Sequence, residues 1–287
     1  MTGWMGLDRG RGRTLGLAAA VAWASLGLAA SAGAQEAHFD VLLFDDGAGN
    51  LRAGAIDVDA LAPELDNVVI EGELFGDTIL GAPPTFQGAD PGFFSVSDAN
   101  SGVLGGSNAN LPGGAAVTVD FLVEPTLNIS LAYWDGASFG GTLAGETLSI
   151  SKGATAYGAL GGSSSVLGVE IGTTSAAGFL DDHPDFDLGA ATPGVYLAYG
   201  RANVAGLAGP SNPFWIVFGT LDLCVETASC SALQDQFNLE IEGQIEAAIG
   251  YVNANLVPIP EPSTALLMAL GLAGLNRAAR RSTRRDA

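Results

Sequence analysis

Between residues 38 and 225 the chain changes from apolar to polar and back over short stretches, most regularly in Val117-Thr118-Val119-Asp120-Phe121 and Val195-Tyr196-Leu197-Ala198-Tyr199. A period of two residues puts alternate side chains on opposite faces of an extended strand. The pattern predicts strands at His38 to Phe44, Leu51 to Val58, Asn67 to Leu74, Gly92 to Ser97, Ala116 to Glu124 and Leu127 to Trp134. It predicts others at Glu146 to Ser151, Val166 to Ile171, Gly194 to Val204 and Phe214 to Val225. Turn-forming clusters separate them, such as Asp45-Asp46-Gly47-Ala48-Gly49-Asn50 and Gly161-Gly162-Ser163-Ser164-Ser165. About ten short strands with hairpin-length gaps predict an all-β fold, a β-sandwich. One segment departs from the period of two. Ile245, Ala248, Ile249, Val252 and Leu256 recur at helical spacing and predict one helix that packs on the sandwich and ends before Pro258.

Both ends of the chain have a different texture. Arg9, Arg11 and Arg13 precede the apolar run Leu15 to Ala30, and Ala32-Gly33-Ala34 follows with small residues. That order predicts a signal peptide over residues 1–34, removed by signal peptidase after Ala34. At the other end, Pro260-Glu261-Pro262-Ser263 precedes an apolar run from Ala265 to Leu275 and then Arg277, Arg280, Arg281, Arg284 and Arg285. The two prolines hold the backbone extended, within reach of a membrane-embedded enzyme. The arginines favour the cytoplasmic side and place the N-terminal body outside. Eleven apolar residues are far fewer than the roughly 20 a spanning helix needs, which suits a temporary tether better than a permanent anchor.

This terminus resembles the PEP-CTERM sorting tail, which exosortase-type membrane enzymes recognise in Gram-negative bacteria that make extracellular polysaccharide. The resemblance implies an exosortase-like processing partner, a hydrophobic sorting helix and transient insertion of the tail in the inner membrane. It also implies a destination at the cell surface or in the extracellular polysaccharide matrix. Three parts are expected: signal peptide 1–34, β-sandwich body 35–257 and sorting tail 258–287.

Setting the two ends aside changes the charge balance. From Gln35 to Pro262 only Arg52, Lys152 and Arg201 are basic, against 29 of the 31 acidic residues, a formal charge of −26. Such a body repels nucleic acid and attracts metal cations. Its 228 residues are enough for one sizeable core or two small ones. Cys224 and Cys230, the only cysteines, are expected to form a disulfide in an exported chain, with a metal pair as the lesser alternative.

The only histidines of the chain each open a short acidic pattern, His38-Phe39-Asp40 and His183-Pro184-Asp185-Phe186-Asp187. In an extended strand, positions i and i+2 share a face, so each pattern predicts an imidazole beside a carboxylate. Two such pairs meeting in space would supply four nitrogen and oxygen ligands to zinc. The candidate metal ligands are His38, Asp40, His183, Asp185 and Asp187, and Asp181 and Asp182 would complete the set or hold calcium through oxygens. The alternative is a frayed first strand at His38 and a solvated acidic loop at 181–187. The same segments are similar to exported choice-of-anchor surface domains and to PEP-CTERM proteins whose genes answer to a zinc-responsive repressor. That similarity implies zinc at His38, Asp40, His183 and Asp185.

No catalytic residue is assigned, and the expected role is structural or binding. The rival is a secreted hydrolase of matrix polysaccharide or ester, with Ser138 or Glu146 as the residues to test. Gly136-Ala137-Ser138-Phe139-Gly140 has the spacing of a nucleophile elbow, but it lies between two predicted strands rather than before a helix, which favours a hairpin turn. Tyr133, Trp134, Tyr196, Tyr199, Phe214 and Trp215 would suit a sugar-stacking platform or, more in keeping with their strand positions, the core.

Overall fold

The structure is a computed structural model that describes residues 39–76, 84–143, 145–189, 191–224 and 230–258. The chain divides into two compact units, Met1–Ala37 and His38–Ala287, and every described residue belongs to the second. His38, the predicted signal peptide and the sorting residues Pro260, Glu261, Pro262 and Ser263 lie outside the described residues.

The unit is all-β with one α-helix among the described residues, its strands arranged in two sheets. The smaller sheet has the order β13 (Leu180–Asp182), β6 (Phe93–Ser95), β1 (Phe39–Asp45), β2 (Leu51–Asp57), β3 (Ala62–Glu64). In the larger sheet the order begins β11 (Thr155–Leu160), β10 (Leu148–Lys152), β14 (Asp185–Leu188), β5 (Phe86–Gly88), β4 (Val69–Gly76). It continues through β16 (Phe214–Asp222), β15 (Val195–Val204), β7 (Ala116–Leu122) and β12 (Val166–Thr173). A hairpin of β8 (Leu131–Trp134) and β9 (Phe139–Gly141) joins it through β15.

Each of the ten predicted stretches contains a strand, but the described residues hold sixteen strands rather than about ten. Those missed are mostly three or four residues long, too short to show a period. The predicted strand from Leu127 begins only at Leu131, because Asn128 has φ 57° and donates its N–H to Glu124 O at 2.8 Å, forming a turn.

The faces follow the sequence pattern. Val41, Leu43 and Phe93 belong to the main core shared with the large sheet, whereas Leu42, Phe44, Ile56 and Phe94 form a second cluster on the other face of the small sheet. Leu104, from the 3-10 turn Asp98–Leu104, joins that second cluster. β16 is buried along its whole length, as a central strand flanked by parallel β4 and antiparallel β15 should be.

The helix α1 (Ala232–Asn255) is longer than its apolar spacing predicted. A capping box of Ser231 and Gln234 starts it, and the Cys224–Cys230 disulfide lies immediately before that cap. Ile241, Ile245, Ala248 and Val252 are buried against the large sheet. The approach is close because Gly219 of β16 has no side chain: a Cβ there would strike Ile245. Asp222 at the end of β16 accepts from Gln234 Nε2 at 2.7 Å, and its own N–H donates to Asn238 Oδ1 at 2.9 Å, so polar bonds fix the head of the helix.

Candidate metal centre

The strand register of the small sheet builds the site. Asp181 pairs with Phe94, and Phe94 with Leu42, so β13, β6 and β1 lie side by side. Two rows further along this lattice, past Asp182, Phe93 and Val41, come His183, Gly92 and Asp40. Val41 N–H donates to Gly92 O at 3.0 Å, and Gly92 N–H donates to Asp40 Oδ1 at 2.7 Å, which fixes that row. Asp40 and His183 therefore flank a glycine. A Cβ at Gly92 would fall inside contact distance of Cε1, Nδ1 and Nε2 of the imidazole, so the missing side chain makes the space the ring occupies.

Asp181 and His183 sit at i and i+2 and project to the same side, as the alternation of a strand requires. His183 Nε2 lies 3.4 Å from Asp181 Oδ1 and 3.8 Å from Asp40 Oδ2. The three ligand atoms are all within 4.8 Å of one another. Asp182 points the opposite way and pairs with Lys152 of β10.

The other imidazole nitrogen is engaged on the protein side. Nδ1 is 3.0 Å from the Ala89 carbonyl and 3.3 Å from Asp90 Oδ1. A carbonyl only accepts, so the hydrogen-bond network assigns a proton to Nδ1, leaving the ring to present Nε2 to the two carboxylates. Histidines that bind metals are held in the same way, by donating the far N–H to a carbonyl or carboxylate. Asp40, completely buried, is oriented likewise: Oδ1 accepts from the Gly92 backbone, and Oδ2 faces His183.

Without a metal the pocket favours a protonated ring. The hydrogen bond to Asp90 raises the His183 pKa most, burial opposes it, and the Asp40 charge and the Ala89 carbonyl add to the rise, which reaches about 9. A metal cation and the second proton compete for the same Nε2 lone pair.

The sequence-derived ligand set is only partly brought together. Asp40 and His183 meet, while His38 lies outside the described residues. Asp185 and Asp187 are not in the cluster. Pro184 follows His183, and beyond it Asp185 begins β14, which belongs to the large sheet. Phe186 and Leu188 of β14 are buried, Asp185 is exposed, and Asp187 accepts from Gln87 Nε2 at 3.0 Å. The i, i+2 partner of His183 is therefore Asp181 on its N-terminal side, not Asp185. Asp90 was not foreseen, and its place immediately before Pro91-Gly92 is the only sequence sign of it.

The other sites of interest have ordinary environments. Ser138 occupies the β8–β9 hairpin turn, where Asp135 Oδ1 accepts from the Ala137 and Ser138 N–H groups at 2.9 and 2.8 Å. These bonds hold the Asp135 carboxyl below its usual range. Glu146 is buried and accepts from Thr192 Oγ1 at 3.0 Å, tying down the loop before β15. Burial, and then the Glu146 charge, raise the pKa of Tyr196, whose hydroxyl donates to Thr192 O at 2.6 Å. Trp134, Tyr196, Tyr199, Phe214 and Trp215 are buried, so they pack the core rather than forming an exposed platform.

Residues 258–285 match the family model of the PEP-CTERM protein-sorting motif. The chain thus carries a C-terminal PEP-CTERM sorting motif, which supports export, sorting at the membrane toward the cell surface and exosortase processing at the C terminus. No curated protein matches it. Among solved structures, it matches one described for glycolipid glycan hydrolysis, a family 123 glycoside hydrolase from Clostridium perfringens. The two are 14% identical over 55% of this chain and 24% of that one, with a TM-score of 0.18, a likeness too weak to relate their folds or activities. Among the described residues no helix is long and apolar enough to cross a membrane.

Proposed function

We propose that this protein is a non-enzymatic component of the cell envelope or extracellular matrix whose body carries one divalent-cation site, zinc first and calcium second. The signal peptide exports it, the tail tethers it briefly in the inner membrane, and processing passes it to the surface or the matrix. In this reading Asp40 Oδ2, Asp181 Oδ1 and His183 Nε2 are the ligands. Asp90 and the Ala89 carbonyl orient the ring.

The observation that carries the metal reading is the gap bridged over Gly92. A buried carboxylate and an imidazole nitrogen from strands separated by a third come to 3.8 Å, with a second carboxylate 3.4 Å from the same nitrogen. Ligand atoms bound about 2.1 Å from a tetrahedral zinc lie about 3.4 Å apart, so these spacings need only a small closure. The hydroxyl of Ser138 is engaged within its own hairpin turn and the carboxylate of Glu146 by Thr192 of the loop before β15, and neither adjoins the cluster.

Elemental analysis of the protein purified after export is expected to find close to one equivalent of zinc or calcium. A His38→Ala, His183→Ala double variant is expected to lose it. Metal-free protein, with an unfolding temperature that neither ion changes, would leave a structural role without a metal.

A further inference from the structure

The folded body runs directly into the sorting motif. Leu256 is buried, with its N–H donating to Val252 O at 2.8 Å, and the N–H of Val257 donates to the same oxygen at 3.0 Å. Val257 packs against the main core, and exposed Pro258 walls a cleft of about 860 Å³ beside Leu65, Val68, Asn212 and Pro213. The sorting match begins at 258, and Pro260 is only four positions beyond buried Leu256.

Four residues span at most about 14 Å when fully extended, little more than the 10–12 Å diameter of a helix. An enzyme that binds an extended peptide does so through main-chain hydrogen bonds on both sides of the reacting bond. On the N-terminal side of Pro260 the chain has few N–H donors to offer it. The Val257 N–H is already bonded, Pro258 has none, and Ile259 alone remains before Pro260. A folded body ending at Leu256 thus both crowds the enzyme and withholds backbone donors it would grip.

We propose that the foot of α1, Val252 through Pro258, is the surface the sorting enzyme meets, and that this last turn must undock from the sheet before the tail is processed. Processing then competes with docking of α1: it proceeds on chains whose helix end is open, and complete folding slows it. This inference rests on the sorting reading and adds to it an order of events.

The test uses the full chain in a host that carries an exosortase-type enzyme, following loss of the tail by mass after a pulse of synthesis. Ten Gly and Ser residues inserted between Val257 and Pro258 supply a spacer without touching the core. The spacer is expected to speed processing about fivefold or more, because the rate follows the fraction of chains in the competent state. Val252→Ala with Leu256→Ala, which loosens the turn, should accelerate it without a spacer. Pro260→Ala with Pro262→Ala in the spacer variant should stop it. Equal rates for the natural and spacer chains would overturn the inference while leaving sorting intact. Retention of the tail in both chains would instead overturn the sorting reading on which it rests.

Discussion

Replacing Gly92 by alanine is expected to lower zinc affinity at least about 100-fold and to destabilise the fold by about 1–3 kcal/mol, the usual cost of overpacking a filled space. The added Cβ would overlap three atoms of the His183 ring. Gly92 is also part of the backbone link between β6 and β1, through its carbonyl to Val41 and its N–H to Asp40. The strand cannot retreat without breaking those bonds, so the imidazole has to move. Removing the ring as well separates the two effects. A Gly92→Ala, His183→Ala double variant should regain most of the lost stability, because the clash is gone, and still fail to bind zinc. Chemical denaturation and zinc titration on the natural protein, Gly92→Ala, His183→Ala and the double variant would check both parts. Equal zinc affinity in Gly92→Ala and the natural protein would mean that metal is held elsewhere.

The second large effect is on pH dependence. In the metal-free protein His183 titrates near 9 rather than 6.5, and the groups facing it are Asp40 of β1, Asp181 of β13 and Asp90 of the turn before β6. A histidine with a raised folded-state pKa stabilises the fold fully below its unfolded value and loses that contribution as pH rises through the folded one. The unfolding temperature of metal-free protein should therefore fall between pH 6.5 and about 9, and His183→Ala should flatten that decline. Zinc reverses the trend by occupying the lone pair in place of the proton. Below pH 9 its apparent affinity should rise close to tenfold per pH unit and then level, with about one proton released per zinc bound. Thermal scans and titrations at half-unit steps of pH, each with and without zinc, would measure both slopes.

Most of the strands legible in the sequence are long enough to repeat, although three-residue β6 lies within a predicted stretch and six-residue β11 lies within none. β7 alternates over its seven residues with its apolar set turned to the core, whereas β15 is buried on both faces from Val195 to Gly200 and alternates only beyond it. β13 has three residues, and its place beside β6 is a pairing across more than eighty positions that no local pattern encodes. That pairing is what completes the candidate site. The rule that residues at i and i+2 share a face is legible in the sequence, but carried across Pro184 it points to Asp185, which lies in the other sheet. A proline with no N–H ends the ladder there, so the rule holds backward to Asp181. Gly92 was visible as a strand residue, but its purpose appears only when His183 is seen lying over it. The sorting tail was legible throughout because its information is linear: two prolines, an apolar run and a cationic end are read by an enzyme as a peptide rather than as a fold. The helix before it was read from its apolar face but begins earlier, since the Ser231 cap lies outside that face.

The most direct measurement is a calorimetric titration of zinc into the metal-free exported protein at pH 7.5, beside Asp40→Asn. Asparagine keeps the shape and can still accept from the Gly92 N–H, while the charge that faces His183 is gone. One zinc per chain in the natural protein, with binding abolished or weakened at least about 100-fold in Asp40→Asn, is the predicted result. Equal binding by the two proteins, or none by either, would contradict a metal centre at Asp40, Asp181 and His183.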